Sequence, residues 1–270
     1  MKVPPGFAFE DHGTSLLVAR EDVADELVPL LTTPPWESQE LYKSARWLQG
    51  RGPIPVLPLK DGRHVILRTY RHGGLLRGLT RDLFVGFLPR PFRELSVSYA
   101  ARERGVLTPP VLGAAVYPVL GPIYRGVIAV EEIPEARDGL SILEQASELS
   151  VRQRRQLFRT LLKAAGKTVS LAHKAGLVHT DLNVKNLVVT AEPLSVFILD
   201  LDRGRLEPGP LSDRQRRSQL KRLRRSLDKV TKNYNLPPLT NSEVRFFLKS
   251  YGDNAKKSLR EIYELLGGWC

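Results

Sequence analysis

From Ser150 to Ala175 the apolar residues Phe158, Leu161, Leu162, Ala165, Val169 and Ala172 recur every three or four positions. Arginines and lysines fill the other face, so the spacing predicts an amphipathic helix, and Gly176 ends it. The chain before this helix has a different rhythm. Around Asp61-Gly62 the stretch GRGPIPVLPLKDGRHVILRTY reads as a hairpin, with alternating apolar residues from His64 to Leu67. RELSVSYAARERG reads as a helix closed by Gly105, and VLGAAVYPVL and YRGVIAVEEI read as strands separated by Gly121-Pro122. After the long helix come short apolar strands, LVH, NLVV and SVFILDLD. A basic helix follows from Ser212 to about Lys232, then a helical tail from Ser242 to Leu266.

Strands dominate the first half and helices the second, with the change near Glu132 to Leu140. This order predicts an α+β, two-lobed, protein-kinase-like fold. Residues 1–45 form an N-terminal extension, 46–133 a β-rich N-lobe and 134–270 an α-rich C-lobe. The 270 residues, 42% hydrophobic and 26% charged, suffice for a packed core. The single cysteine, Cys270, is the last residue, which excludes an internal disulfide and fits a reducing compartment. The N-terminus MKVPPGFAFEDHG lacks the apolar stretch of a signal peptide. The long uncharged run Gly105–Tyr124 is broken by Pro109, Pro110, Pro118 and Pro122, so it reads as two strands rather than a membrane span. A formal net charge of +12 calls for an anionic partner: a nucleotide, a nucleic acid or a phosphate-bearing membrane surface. Charge alone does not choose among these.

The chemistry concentrates in LVHTDLNVKNLVV, residues 177–189. A short strand delivers His179, then Asp181, and Asn186 follows five residues after that aspartate. Asp200 comes fourteen residues later, at the end of SVFILD. Phosphoryl transfer needs such a set: a carboxylate to accept the proton of the attacking hydroxyl, and further oxygens to hold magnesium on the ATP phosphates. The pattern matches the catalytic loop and metal-binding aspartate of the protein-kinase superfamily. Asp181 is accordingly the candidate base, and Asn186 and Asp200 the candidate Mg2+ ligands. His179 is the loop organiser, and Asn183 is grouped with the catalytic residues. A polar turn between strands would use the same residue types, but not four of them in this register behind a long amphipathic helix.

Upstream, Arg68 on the strand HVILR stands where a kinase carries its phosphate-pairing lysine, and Glu94 is the candidate ion-pair partner. A surface ion pair of little consequence is the competing interpretation. Gly50 and Gly52 occupy the place of a phosphate-covering hairpin, and backbone groups around Glu131, Glu132 and Ile133 are candidates for adenine contacts. After Asp200 the chain passes Pro208-Gly209-Pro210 and enters the basic helix. No long activation segment and no Ala-Pro-Glu element intervene, which argues against an extended peptide acceptor and for a small hydroxylated one. The five histidines lack metal-ligand spacing.

HTDLNVKNLVV, FILDLDRGRL, VILRTYRHGGLLRGL and LKRLRRSL together resemble the lipopolysaccharide kinase family, closest to the 3-deoxy-D-manno-octulosonic acid (Kdo) kinases. The similarity runs from about Gly50 to Lys232. More particular than the shared kinase loop are Arg68, Arg71, Gly73, Gly74 and Leu75, and the group Asp200, Asp202, Arg203 and Gly204. The resemblance implies transfer of the ATP γ-phosphate to a Kdo hydroxyl on a lipid A precursor, at the cytoplasmic face of the bacterial inner membrane. It also implies arginine rather than lysine near position 68. Related members act on heptose, so the acceptor stays open between sugars. An anionic membrane surface then becomes a candidate partner for Arg217, Lys221, Arg224 and Arg225, which lie off the apolar stripe Leu220, Leu223, Leu227 and Val230; a core-packed helix with a solvated basic side is the competing interpretation. The mixed stretch RTYRHGGLLRGLTRDLFVGFLPR suits either a lipid-facing edge or a buried connection. An atypical protein kinase or antibiotic-type phosphotransferase would share the catalytic loop. A nucleic-acid-binding scaffold is disfavoured, because no stacking platform accompanies the charge.

Overall fold

The computed structural model describes residues 3–37, 42–43, 45–49, 53–71 and 82–255. Gly50, Gly52, Gly73, Gly74, Leu75 and the tail beyond Ala255 lie outside the described residues. The chain divides into two units, Met1–Tyr99 with Pro109–Glu132, and Ala100–Thr108 with Ile133–Cys270.

The first unit is built on an antiparallel sheet. Its strands are β1 (Phe7–Asp11), β2 (Leu16–Arg20), β3 (Arg46–Gln49), β4 (Pro53–Pro58), β5 (His64–Thr69), β6 (Phe84–Val85), β7 (Val111–Leu120) and β8 (Ile123–Glu131). Their spatial order is β1-β2-β7-β8-β5-β4-β3, with β6 also paired to β8. The hairpin expected around Asp61-Gly62 is β4–β5, in register Val56↔Ile66. Because successive strand side chains point to opposite faces, the central strands feed two cores. Leu17, Ala115, Val127 and Ala129 pack with Leu27 and Leu31 of helix α1 (Ala24–Thr32). Val18, Ala114 and Ile128 pack on the other side with Phe92 and Leu95 of helix α2 (Arg90–Glu103). With both faces covered, Val111–Tyr117 is buried without interruption. Gly113 is required by the close fit of α1, since a Cβ there would lie 2.7 Å from Leu27 Cδ2 and 2.8 Å from the Val18 carbonyl oxygen. The first 45 residues thus contribute β1, β2 and α1 to this sheet and its core.

The second unit is mostly helical: α3 (Gly139–Ser147), α4 (Val151–Lys174), α5 (Asp213–Asn233) and α6 (Asn241–Ala255). Short strands β9 (Arg137–Asp138), β11 (Leu187–Ala191) and β12 (Leu194–Ile198) form one small sheet, and β10 (Leu177–Val178) pairs with β13 (Arg205–Leu206). Helix α4 is the long helix of the sequence pattern. Ser150 and Gln153 close a reciprocal capping box at its start. Its buried face meets α6 so closely that a Cβ on Gly166 would lie 2.4 Å from the Phe247 carbonyl oxygen.

The same interface buries His173, whose Nδ1 lies 2.9 Å from the Tyr251 hydroxyl. Burial pushes its pKa down to about 3. The folded protein therefore leaves His173 neutral where the unfolded chain takes up a proton below about pH 6.5. This contribution is complete above that pH and is lost as pH falls from about 6.5 toward 3, with a slope of up to about 1.4 kcal/mol per unit. The thermal midpoint is expected to drop between pH 7 and pH 5. His173→Gln, which keeps a partner for the Tyr251 hydroxyl, is expected to flatten that drop in parallel melts.

Candidate active site

Helix α4 stops at Gly176, whose φ of +82° turns the chain into the buried strand β10. That strand delivers His179, also buried. From there four residues close a ring of hydrogen bonds. The Asp181 N–H donates to His179 Nδ1 (3.1 Å), and the Asp181 carbonyl accepts from Asn186 Nδ2 (2.9 Å). The Asn186 carbonyl accepts from the Leu199 N–H (2.8 Å), and the Leu199 carbonyl accepts from His179 Nε2 (2.8 Å). The bond from the Leu199 N–H to the Asn186 carbonyl extends the β11–β12 pairing, whose final register pair is Leu187↔Ile198, by one peptide. Asp200 follows directly. Asn183 braces the ring from inside, accepting the Asn186 N–H on Oδ1 (3.0 Å) and donating to the Asp181 carbonyl (3.1 Å). It thereby caps the single 3-10 turn Val184–Asn186.

The chemistry of each group follows. Both ring nitrogens of His179 are committed to backbone, one as acceptor and one as donor, which fixes a neutral tautomer. Burial lowers its pKa, partly opposed by the hydrogen bond to Leu199. Asp181 enters the ring only through its peptide groups, and its side chain is exposed to solvent. With Asn186 Nδ2 donated to Asp181, the amide oxygen Oδ1 is the atom left to act as a ligand. Asp200 has φ of +61°, a left-handed conformation that costs about 1–3 kcal/mol in a residue other than glycine. The fully buried Ile198 and Leu201 on either side hold it there.

Helix α5 supports this loop from behind. Gln219 is buried, accepts the His179 N–H on Oε1 (2.9 Å) and donates Nε2 to the Leu177 carbonyl (3.4 Å). Ser226 Oγ accepts the Val184 N–H (3.1 Å). Neither residue emerged from motif reading, yet the signal is present. Gln219, Leu223, Ser226 and Val230 share one helical face, so two uncharged polar residues interrupt an apolar stripe. Gln219→Leu leaves the His179 N–H buried without its partner, a loss of about 1–3 kcal/mol. The expected result is a lower thermal midpoint and a kcat reduced about tenfold with little change in KM for ATP, read by melts and steady-state kinetics.

In the first unit, Arg68 Nη2 lies 2.5 Å from Glu94 Oε1, and the Tyr70 hydroxyl donates to Glu94 Oε2. Glu94 is buried, and it lies in the second turn of α2 rather than opening the helix as the pattern suggested. Arg68 also sits 5.4 Å above the Tyr70 ring centre. Tyr70, two residues past Arg68, follows the strand period and was missed. The pair is therefore a braced, partly desolvated one rather than a loose surface contact. Of the backbone groups near Glu132, its N–H donates to the His64 carbonyl (2.8 Å) and that of Glu131 to the Pro110 carbonyl (2.8 Å), so an adenine contact here would fall to other groups of Glu131–Ile133. The Glu132 carboxylate pairs with Arg46. Among the described residues no cluster of three or more His, Cys, Asp or Glu side chains forms a metal site. An apolar pocket lined by Phe158, Leu161, Leu223 and Phe247 lies within the second unit and carries no polar chemistry.

Residues 47–251 match the model of the lipopolysaccharide kinase (Kdo/WaaP) family. The chain is 33% identical over 183 residues to the 3-deoxy-D-manno-octulosonic acid kinase of Vibrio cholerae serotype O1, covering 67% of this chain and 72% of that protein. It is 29% identical over 201 residues to the same-named kinase of Vibrio parahaemolyticus serotype O3:K6, covering 73% and 78%. Among solved structures, WaaP in complex with acyl carrier protein aligns with a TM-score of 0.56 at 19% identity, over 90% of this chain and 93% of that one, which establishes a shared fold. An antiparallel first unit and a helical second unit carrying a kinase-type loop agree with these matches, and the chain belongs to the lipopolysaccharide kinase (Kdo/WaaP) family.

Proposed function

We propose that this phosphotransferase moves the γ-phosphate of ATP to a hydroxyl of a Kdo sugar on a lipid A precursor, working at the cytoplasmic face of the bacterial inner membrane. The observation that carries the reading is the closed ring through His179, Asp181, Asn186 and Leu199. The ring includes Asp181, which is exposed, and Asn186, whose amide oxygen it leaves over, and the strained Asp200 follows Leu199 directly. Asp181 takes the proton of the sugar hydroxyl as it attacks phosphorus. Asn186 Oδ1 and Asp200 are hard oxygen donors of the kind Mg2+ prefers, and they are the residues that would hold it. Bound there, the ion would neutralise charge on the phosphate oxygens. Arg68, held by Glu94 and Tyr70, presents a fixed cation for phosphate. No nucleic-acid partner enters this reading.

The acceptor choice rests on the matched kinases and on chain length. Asp200 lies thirteen residues before α5 begins, too short a stretch for a peptide-binding platform. An anionic membrane as partner is supported by α5 itself. Arg214, Arg217, Lys221, Arg225, Lys229 and Lys232 are exposed on one side of the helix. They form a cationic stripe about 27 Å long at 1.5 Å per residue. The direct test is transfer of labelled phosphate from ATP to a Kdo-bearing lipid A precursor, with heptosylated and peptide acceptors in parallel. Label on the Kdo acceptor is expected, and label confined to peptide overturns the reading.

A further inference from the structure

The β7–β8 hairpin ends in Val119, Leu120, Gly121 and Pro122, and β6 runs on into Gly86, Phe87, Leu88 and Pro89. The two turns are stitched together, with Val85 opposite Ile123 and the Gly86 N–H donating to the Pro122 carbonyl (3.0 Å). Strand alternation sends Phe84 inward onto Tyr70 and Tyr124, and so sends Val85 outward. Five large apolar side chains consequently face solvent at one place: Phe87 at 95% exposure, Leu120 at 75%, Val85 at 73%, Leu88 at 56% and Val119 at 54%. Neither Leu83–Pro89 nor Pro118–Tyr124 contains a charged residue. Isolated exposed apolar side chains are ordinary, but a grouped, charge-free set at a hairpin end is not.

We infer that this tip inserts into the acyl region of an anionic bilayer. A side chain exposed to 95% projects from the surface and has almost no protein beneath it, a shape suited to entering a fluid phase. A stable protein interface needs about 800 Å2 and some 20–30 residues from each partner, far more than these five side chains offer. The sequence around the tip supplies the complementary charge. Among the described residues from 71 to 93, Arg71, Arg90 and Arg93 stand against the single acid Asp82. Apolar residues among arginines fit acyl chains beneath acidic headgroups. The choice of a bilayer as partner rests on the lipid-linked acceptor proposed above. An acceptor sugar anchored in that bilayer would share the surface with the inserted tip.

The test uses the full chain and vesicles of phosphatidylglycerol with phosphatidylethanolamine, against neutral phosphatidylcholine vesicles. Wild type is expected to sediment with the anionic vesicles. Phe87→Ser/Leu120→Ser is expected to bind them at least about tenfold more weakly, because both residues lose their buried apolar surface. The same variant should keep the wild-type thermal midpoint and the wild-type rate on a Kdo acceptor stripped of acyl chains. In Phe87→Trp, the fluorescence gained over wild type should be quenched by brominated acyl chains. Unchanged vesicle binding by the double variant, or an unquenched Trp, overturns insertion. So does a wild-type dimer that the double variant turns into monomer, since the tip would then be a self-association surface. If neither protein phosphorylates any Kdo acceptor while the vesicle results hold, the acceptor reading fails and insertion stands.

Discussion

Asp181→Asn is expected to lower kcat by about a thousandfold, the middle of the range for removing a positioned general base. The thermal midpoint and the KM for ATP are expected to stay near wild type. The argument comes from which atoms of the residue the fold uses. The ring consumes the Asp181 N–H and carbonyl, and both survive in the variant. The side chain is exposed, and asparagine matches its shape, so neither packing nor loop geometry has cause to change. What disappears is the capacity to accept a proton. Steady-state kinetics beside a melting curve settle the matter, and a variant with wild-type kcat would remove Asp181 from the chemistry.

Asp200→Asn is the second large effect, with turnover falling at least about a hundredfold and far more magnesium needed to reach it. Asparagine is chosen because it tolerates the left-handed backbone that Asp200 adopts at φ +61°. Alanine would mix lost charge with added strain. A magnesium titration of turnover separates the cases, and an unchanged magnesium requirement would sink the assignment. Asp200→Gly makes a useful companion. It relieves the strained conformation and is expected to raise the thermal midpoint slightly while remaining inactive, a stability gain at the cost of function.

The parts of this molecule legible in its sequence share one property: they are local. The 3.6-residue period marks α4, the Asp61-Gly62 turn marks β4–β5, and the spacing of His179, Asp181 and Asn186 marks the loop. Each depends on neighbours within a few positions. What stayed hidden depends on distant partners. Gln219 acts on His179 across 40 residues, and Leu199 contributes only peptide atoms, which no residue type announces. The place of Glu131, Glu132 and Ile133 in the chain does not reveal that the Glu132 N–H is spent on the His64 carbonyl. The first 45 residues carry no chemical motif. Their role as strands and helix of the first unit follows from pairing with β7, more than ninety residues downstream.

The tight seam of α4 against α6 has a consequence for synthesis. Ser170 bonds to the carbonyl of Tyr251, 81 residues further along the chain, and Gly166 allows no spacer between the two helices. At about 5–20 residues per second, α4 leaves the ribosome roughly 4–16 s before the helix that covers it. During that interval its seam has no lid, and a chaperone has a defined window in which to bind. Only when α6 emerges can the second unit shut.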